Sequence, residues 1–391
     1  MAGYIIKNGM VYAPGCGKFI KKDLYIKDGK ISEGPLDNLR NKENGNTDGF
    51  FRTIDAEGCY VTKGLIDYHV HFFKGGSDNG VNPDASSFPC GITTAVDAGS
   101  CGVSSFEIFK KTVMDQVDIR LFAQLLVGSA GQISEKCPER IEADCIEADR
   151  IREMFAEFPE ELVGLKTRLS ANIIDRKDAR ASLEKSVKLA DELGCPLTVH
   201  ITNPAMDLEE MAAALRKGDV MCHIFQNRGK ECILDKNGKV REGIRKAKER
   251  GIIFDACNGI NNFNLSTAAA AMEQGFFPDI ISSDINTGSY YEGVLHSLPK
   301  ILSKYLAMGQ PLQKILDAAI LAPAKVIGRE DLASMDVGAP ADLFIFRLEE
   351  HKMTYLDHTN GENRVCGTEM IVPQMTIKDG RVVYSQVYFE S

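Results

Sequence analysis

The stretch Gly64-Leu65-Ile66-Asp67-Tyr68-His69-Val70-His71 is the key to the fold, because apolar residues run directly into two histidines spaced i, i+2. Successive side chains of a strand alternate between its faces, so His69 and His71 share one side of a strand, whereas a helix would splay them apart. Two imidazoles aimed at one point suit a first-row divalent metal. An isolated His-x-His is equally well explained by two polar residues ending a strand, so the interpretation depends on the rest of the sequence.

Length and composition limit the possible classes of protein. A chain of 391 residues with 44% apolar residues predicts a large domain with a smaller one attached. No apolar run is long enough to predict a membrane span, and a net charge of −9 argues against nucleic acid or an anionic membrane as partner. The N-terminus lacks the pattern of a signal segment, and eleven scattered cysteines indicate reduced, buried thiols, so we expect a cytoplasmic protein.

Both ends of the chain are predicted to form short strands joined by turns. Asn8-Gly9 and Asp28-Gly29 are turn signals flanked by apolar residues, and Asp379-Gly380 repeats the pattern near the C-terminus. We therefore expect residues 1–62 and 336–391 to form one small β-sandwich domain built from both termini.

The middle of the chain alternates between short apolar runs and helical patterns with charged faces. The apolar runs lie at 65–71, 91–98, 120–127, 161–166, 196–200, 220–225, 251–257 and 279–284, and helices are predicted at 179–193, 240–250 and 294–307. Eight strand–helix repeats predict an α/β fold, a (β/α)8 TIM barrel over residues 63–335. A doubly wound sheet is the alternative, but no Gly-x-Gly-x-x-Gly turn follows the first strand. Residues 226–240 resemble an inserted hairpin.

Six residues able to bind a metal lie at the ends of predicted strands. They are His69 and His71 on strand one, Lys166 on strand four, His200 on strand five, His223 on strand six and Asp284 on strand eight. The carboxyl ends of barrel strands converge on one mouth, where active sites of this fold lie. Four of only seven histidines occupy these positions, which is hard to produce by chance. The pattern predicts a metal centre at the barrel mouth.

Lys166 is the unusual member of this set. A lysine among cations is disfavoured as an ammonium, and a neutral amine can react with carbon dioxide to give a carbamate that bridges two metals. We expect Asp284 and the His-x-His pair to hold one ion and the other two histidines to hold the second. Two ions about 3.5–4 Å apart can share a hydroxide that attacks a polarised carbonyl, with Asp284 passing the proton to the leaving group. The alternative for Lys166 is a salt bridge to a metal-bound substrate.

Other polar residues near the strand ends are candidate substrate contacts. Arg168 shares the face of Lys166, so it is expected to clamp a substrate carboxylate or to steady the oxyanion of the reaction, with a surface salt bridge as the alternative. Asn203, Arg228 and Asn258 follow strands five, six and seven. Each is a candidate substrate contact and is equally well explained as a residue that caps a loop.

In order and spacing, the six candidate ligands resemble the amidohydrolase superfamily of metal-dependent hydrolases. The segment IDAEGCYVTKGLIDYHVH (54–71) is similar to the superfamily's entry into strand one, although Lys63 stands where proline is expected. LAPAKVIG (321–328) and DVGAPADLFIF (336–346) are similar to its exit from the barrel into the terminal sheet. The resemblance covers the whole chain and implies the barrel with a flanking sheet, the carbamylated lysine and two zinc ions per chain.

Three motifs narrow the resemblance further. GITTAVDAGS (91–100), GLKTR (164–168) and PDIISSD (278–284) resemble the dihydroorotase-like branch that includes deacetylases of acetylated small hydroxy or amino acids. Asn258 and Asn286 stand where that branch has histidines. Neither position is one of the six candidate metal ligands, so these departures affect the expected substrate and not the expected metal site.

Three functional classes follow from these observations. The leading one is a binuclear zinc hydrolase of an ester or amide, deacetylating a small carboxylate-bearing molecule as a possible homo-oligomer. The second is a hydrolase of cyclic amides, similar to dihydroorotase or hydantoinase. The third is a non-catalytic interaction protein that keeps the barrel, which loss of the ligands would mark. All six ligands are present, which favours an enzyme.

Overall fold

The computed structural model describes residues 3–34, 51–134, 136–137, 139–291, 297–357 and 363–387. Its strands are β1 Gly3–Lys7, β2 Met10–Tyr12, β3 Phe19–Lys21, β4 Leu24–Lys27, β5 Lys30–Ser32, β6 Phe51–Asp55, β7 Tyr60–Lys63, β8 Leu65–Val70, β9 Ile92–Ala98, β10 Arg120–Leu126, β11 Leu162–Arg168, β12 Leu197–His200, β13 Val220–Cys222, β14 Ile253–Asp255, β15 Leu343–Leu356, β16 Arg364–Lys378 and β17 Arg381–Ser385.

The helices follow the strands of the barrel or connect the barrel to the C-terminal strands. They are α1 Pro83–Ser87, α2 Phe106–Thr112, α3 Ala148–Glu157, α4 Arg176–Glu192, α5 Leu208–Ala214, α6 Glu242–Glu249, α7 Leu265–Glu273, α8 Thr287–Tyr291, α9 Leu298–Ala307, α10 Leu312–Ala319 and α11 Leu321–Val326. In α4, Ala179, Leu183 and Ala190 are buried at helical spacing, as expected for one apolar stripe facing the core. Within the described residues, none of these helices is both long and apolar enough to cross a membrane.

Seven parallel strands form a curled central sheet in the order β14-β13-β12-β11-β10-β9-β8. β9 is buried at every position, as parallel strands covered on both faces usually are. The segment predicted as strand eight, residues 279–284, is present only as isolated bridges, Asp255 with Ile280 and Val70 with Ile285. Asp284 has φ +56°, which interrupts the extended backbone of a strand. The bridges still join the first and last strands of the sheet, so the architecture is a TIM-like barrel.

Two smaller sheets contain the strands of both chain ends. One has the order β5-β4-β1-β6, and the other the order β17-β16-β15-β7-β2-β3. Asp28-Gly29 and Asp379-Gly380 turn the predicted hairpins β4–β5 and β16–β17, whereas Asn8-Gly9 leads from one sheet into the other. Side chains of both sheets, such as Ile26 and Ile345, share one buried apolar cluster. Residues 226–240 contain a single antiparallel bridge between Leu234 and Val240 rather than a full hairpin.

The eleven cysteines carry free thiols, but only four of them are buried. The expectation that they form a buried set was therefore wrong for most of them. Cys16, Cys137 and Cys366 are exposed, and Cys59, Cys101, Cys222 and Cys257 are the buried ones. Two of the buried thiols, Cys222 and Cys257, lie beside the candidate metal centre.

Lys63, which replaces the expected proline, is fully buried at the end of β7 and donates a hydrogen bond to the Pro340 carbonyl at 2.5 Å. Burial lowers the pKa of Lys63 to about 8, against the opposing attraction of Asp342. Burying this amine therefore costs stability as long as the unfolded chain would hold its proton, and the cost disappears only above about pH 10.5.

This burial predicts a pH-dependent effect of Lys63→Met. Because the folded-state pKa lies below the unfolded one, the unfolded chain binds more protons between about pH 8 and 10.5, and stability rises with pH there. The unfolding free energy of the wild type, minus that of Lys63→Met, should rise by about 1–3 kcal/mol from pH 7 to 10. Urea denaturation at each pH measures it, with exposed Lys27→Met as control. A difference that stays flat or falls contradicts the prediction.

Candidate metal centre

The structure brings the six predicted ligands together at the carboxyl ends of the barrel strands. A cavity of about 670 Å³ opens there, lined by His69, His71, Lys166, His200 and Asp284 among others. The ring of His223 lies behind this lining, with its centroid 4.3 Å from that of His200 and 5.2 Å from that of His69. His69, Lys166 and His223 are almost fully buried. Five separate segments of the barrel therefore supply one cluster.

Asp284 lies close to both histidines of the His-x-His pair. The Oδ1 atom of Asp284 lies 3.3 Å from His71 Nε2 and 3.6 Å from His69 Nε2. Ligand atoms bound at about 2.0–2.2 Å in a tetrahedral zinc site are separated by about 3.3–3.5 Å. The Asp284 oxygen thus lies at close to zinc-like spacing from each of the two imidazole nitrogens.

Hydrogen bonds to the far sides of two imidazoles direct their Nε2 atoms into the cluster. His223 Nδ1 lies 2.9 Å from the carbonyl of Cys257, and His71 Nδ1 lies 3.0 Å from Ser100 Oγ. The backbone amide of Ser100 in turn donates to Asp97 Oδ1 at 2.8 Å. Such partners fix the tautomer of a metal-binding histidine. Sequence reasoning missed Asp97 and Ser100, although both lie in the motif that ends strand two.

Burial also sets the protonation of the cluster. It lowers the pKa of His69 to about 3, with the charge of Lys166 acting in the same direction. It holds the pKa of His200 well below its usual value, helped by the charge of His223. Burial alone raises the pKa of Asp284, but the hydrogen bond from His71 and the nearby imidazoles outweigh it, so that this pKa is lowered. The neutral imidazoles of His69 and His200 and the ionised carboxylate of Asp284 are the forms that bind metals. Burial alone lowers the pKa of His223, but the nearby Cys222 outweighs the effect of burial, so that this pKa is raised instead.

Lys166 occupies the centre of the cluster. Its Nζ lies 3.3 Å from His69 Nε2 and 3.3 Å from Cys222 Sγ, and neither of these two neighbours is a carboxylate. Gly99, with φ +83°, leaves room for this side chain, because a Cβ atom at Gly99 would lie 2.9 Å from Lys166 Cγ. This central position fits both expectations for Lys166, a bridge between two ions and a salt bridge to a metal-bound substrate.

Comparison with known proteins agrees with this geometry. The Amidohydrolase family matches residues 60–383. The chain belongs to this family. It is 32% identical over 310 residues to a deacetylase of Agrobacterium fabrum (strain C58), covering 79% of this chain and 75% of the relative.

Two solved structures of similar fold extend the comparison. A dihydroorotase structure superposes with a TM-score of 0.84 at 26% identity, over 100% of this chain and 99% of that one. An adenine deaminase structure gives the same TM-score and identity, over 98% and 99%. The protein is therefore a hydrolase of the amidohydrolase family with a TIM-like barrel.

Three of the four candidate substrate contacts of this amidohydrolase line the cavity, and the fourth does not. Arg168 and Asn203 line the cavity, as does Arg228. Arg168 Nη1 pairs with Glu139 at 3.4 Å, while its buried Nε has no hydrogen-bond partner within the described residues. Asn258 is buried instead, donating to the Ser282 carbonyl. The structure does not bring Asn258 into the cavity lining.

Backbone strain is concentrated at the cavity. Asn203, His223, Cys257 and Asp284 all have positive φ angles, of +50°, +69°, +36° and +56°. Non-glycine residues in this region cost about 1–3 kcal/mol each and cluster at functional sites. The fold therefore holds these side chains in place at the expense of its own stability.

Proposed function

We propose that the protein is a binuclear zinc hydrolase that deacetylates a small carboxylate-bearing hydroxy or amino acid derivative. The observation that carries the proposal is that the Asp284 carboxylate lies 3.3 Å from His71 and 3.6 Å from His69, beside a buried lysine and two further histidines. The similarity to a deacetylase over most of both chains supports the acyl group.

The proposed ligands divide into two sets. Asp284, His69 and His71 hold one ion, and His200 and His223 hold the other. Lys166 joins the two sets as a carbamate, formed when its neutral amine adds carbon dioxide and releases a proton. When bound, the zinc ions polarise the substrate carbonyl and make water a nucleophile at neutral pH.

The residues of the chain position the substrate and move the proton. Arg168 offers a partly unpaired guanidinium to a substrate carboxylate or to the developing oxyanion. Asp284 takes a proton from the attacking water and delivers it to the leaving group. Asn262 donates to Asp284 Oδ2 at 2.8 Å, which holds the carboxylate in this orientation. Gly259 makes room for it, because a Cβ atom there would lie 2.3 Å from the same oxygen.

Hydrolysis of a cyclic amide is the second candidate, favoured by the similarity to the dihydroorotase structure. A substrate panel separates the two. The zinc-loaded enzyme is assayed on O-acetyl and N-acetyl hydroxy and amino acids in both enantiomers, and on dihydroorotate and hydantoins. Deacetylation with kcat/KM at least about tenfold above that of every cyclic substrate supports the proposal, and the reverse order assigns the second function.

The sequence-based expectations of domain boundaries, location and assembly belong to the same proposal. We propose that residues 1–62 and 336–391 form the β-sandwich domain and residues 63–335 the barrel. We also propose a cytoplasmic location, a small-molecule substrate and a homo-oligomer.

Two zinc ions per chain are the direct expectation of the ligand count. Elemental analysis of protein produced with zinc should give close to two equivalents, because six ligands from five segments exceed what one ion needs. The control is protein dialysed against a chelator and reloaded with zinc in bicarbonate. A value that stays at one equivalent in excess zinc and bicarbonate contradicts the bridged centre.

A further inference from the structure

Cys257 lies within the cluster of candidate ligands but belongs to neither of the two proposed ligand sets. Ligand atoms of His69, His223, Cys257 and Asp284 all lie within 4.8 Å of one another, and all four residues are buried. Thiolate sulfur is a strong zinc ligand. The arrangement therefore offers a sulfur atom where the proposed centre uses only nitrogen and oxygen.

The position of the sulfur fits an ion shared with His223. Cys257 Sγ lies 3.8 Å from His223 Nε2. Zinc bonds of about 2.3 Å to sulfur and about 2.0–2.1 Å to nitrogen place these two atoms about 3.5–3.6 Å apart in a tetrahedral site. A shift of a few tenths of an ångström therefore brings both atoms onto one ion.

The backbone holds Cys257 in this place. Its carbonyl faces His223 Nδ1 at 2.9 Å, and its amide donates to Asp255 Oδ1 at 2.9 Å. Its φ angle of +36° is one that non-glycine residues rarely adopt. The residue thus orients His223 through its carbonyl and presents its sulfur to the other ring nitrogen of the same imidazole.

Cys222 is the competing thiol, because it lies with His200 and His223 in a second group of possible ligands. Cys222 interacts with His223 and with Lys166, but its thiol also has a backbone acceptor. Cys222 Sγ donates to the Val199 carbonyl at 3.3 Å and lies 3.3 Å from Lys166 Nζ. Cys222 thus has a backbone acceptor for its thiol hydrogen, whereas Cys257 Sγ lies among ligand atoms of three other residues, His69, His223 and Asp284, which favours Cys257.

We propose that Cys257 Sγ is a ligand of the ion held by His223, which gives the centre a mixed nitrogen, oxygen and sulfur ligand set. This inference rests on the metal centre of the proposed function. A thiolate ligand favours zinc over harder ions such as manganese or magnesium.

X-ray absorption at the zinc edge tests the inference on the wild-type holoenzyme. A sulfur shell at about 2.3 Å, distinct from the nitrogen and oxygen shell at about 2.0–2.2 Å, is expected, with one sulfur for every two zinc ions. A spectrum of zinc-loaded protein that needs no sulfur overturns the inference, while the proposed function is judged separately by the substrate panel. Protein that binds no zinc overturns both.

Cys257→Ser and Cys222→Ser form a matched pair of variants. The inference requires that the sulfur shell disappears in Cys257→Ser and survives in Cys222→Ser, and any other combination overturns it. Cobalt-substituted protein gives a second readout, since a thiolate ligand adds a near-ultraviolet charge-transfer absorption. If Cys257→Ser fails to fold or to hold metal, Cys222→Ser decides the question, because a sulfur shell that survives in that variant supports Cys257 and one that disappears overturns the inference.

Discussion

Lys166→Ala is expected to lose bound zinc and hydrolytic activity together, with kcat/KM falling by more than about a hundredfold. The residue is fully buried, and its amine lies 3.3 Å from His69 Nε2 at the centre of the cluster. Without the carbamate, the two zinc ions lose the anionic ligand that they share, and their mutual repulsion is no longer offset. Elemental analysis and steady-state kinetics on the best substrate of the panel measure the two losses.

Chemical rescue distinguishes a missing carbamate from general damage. Formate, acetate or propionate added to Lys166→Ala can supply a carboxylate at the vacated position, and partial recovery of both zinc and activity is expected. Lys63→Met is the control, because it also replaces a fully buried lysine but lies at the end of β7, outside the cavity lining. Its zinc content should be unchanged. A fully metallated, active crystal with an unmodified ammonium at Lys166 contradicts the carbamate.

The sequence was most informative where its periodicity is strong. Alternation of apolar runs with charged helical patterns predicted the barrel, and the helix expected at 179–193 is α4, Arg176–Glu192. The helix expected at 240–250 is α6, Glu242–Glu249, whereas the start of the one expected at 294–307 falls partly outside the described residues. The rule that parallel strands end at one mouth was enough to bring His69, Lys166 and His200 together, because all three lie on regular strands.

The sequence was least informative where the backbone leaves regular structure. Asp284, His223 and Cys257 all lie in the left-handed region, where strand periodicity no longer gives the direction of a side chain. From the sequence, Cys257 is therefore indistinguishable from the other ten cysteines, and strand eight is predicted where only isolated bridges form. Asn258 was expected at the substrate, but its amide oxygen accepts a hydrogen bond from the buried Lys304 at 2.5 Å. A long-range contact of this kind leaves no signal in local sequence.

Asp284→Asn is expected to keep much of its metal yet lose at least about a hundredfold in kcat. The lowered pKa of Asp284 means that the carboxylate is ionised at neutral pH and starts the reaction as a base. Asparagine keeps the shape and one oxygen that can bind an ion, but it cannot take a proton from the attacking water. General acid–base assistance is typically about 10²–10⁴-fold, which sets the size of the loss.

The leaving group provides an internal control for this variant. An amide must be protonated as it departs, whereas an activated ester leaves without such help, so the loss in Asp284→Asn should be larger for the amide. Metal content measured on the same samples separates a lost ligand from a lost proton shuttle. If the variant binds two zinc ions and hydrolyses its best amide or unactivated ester at close to the wild-type rate, Asp284 is not the shuttle. The proton must then pass through another group at the barrel mouth. Asn262 and Arg168 line the cavity but cannot take it, because an amide is not basic enough to be protonated at neutral pH and a guanidinium already carries its proton.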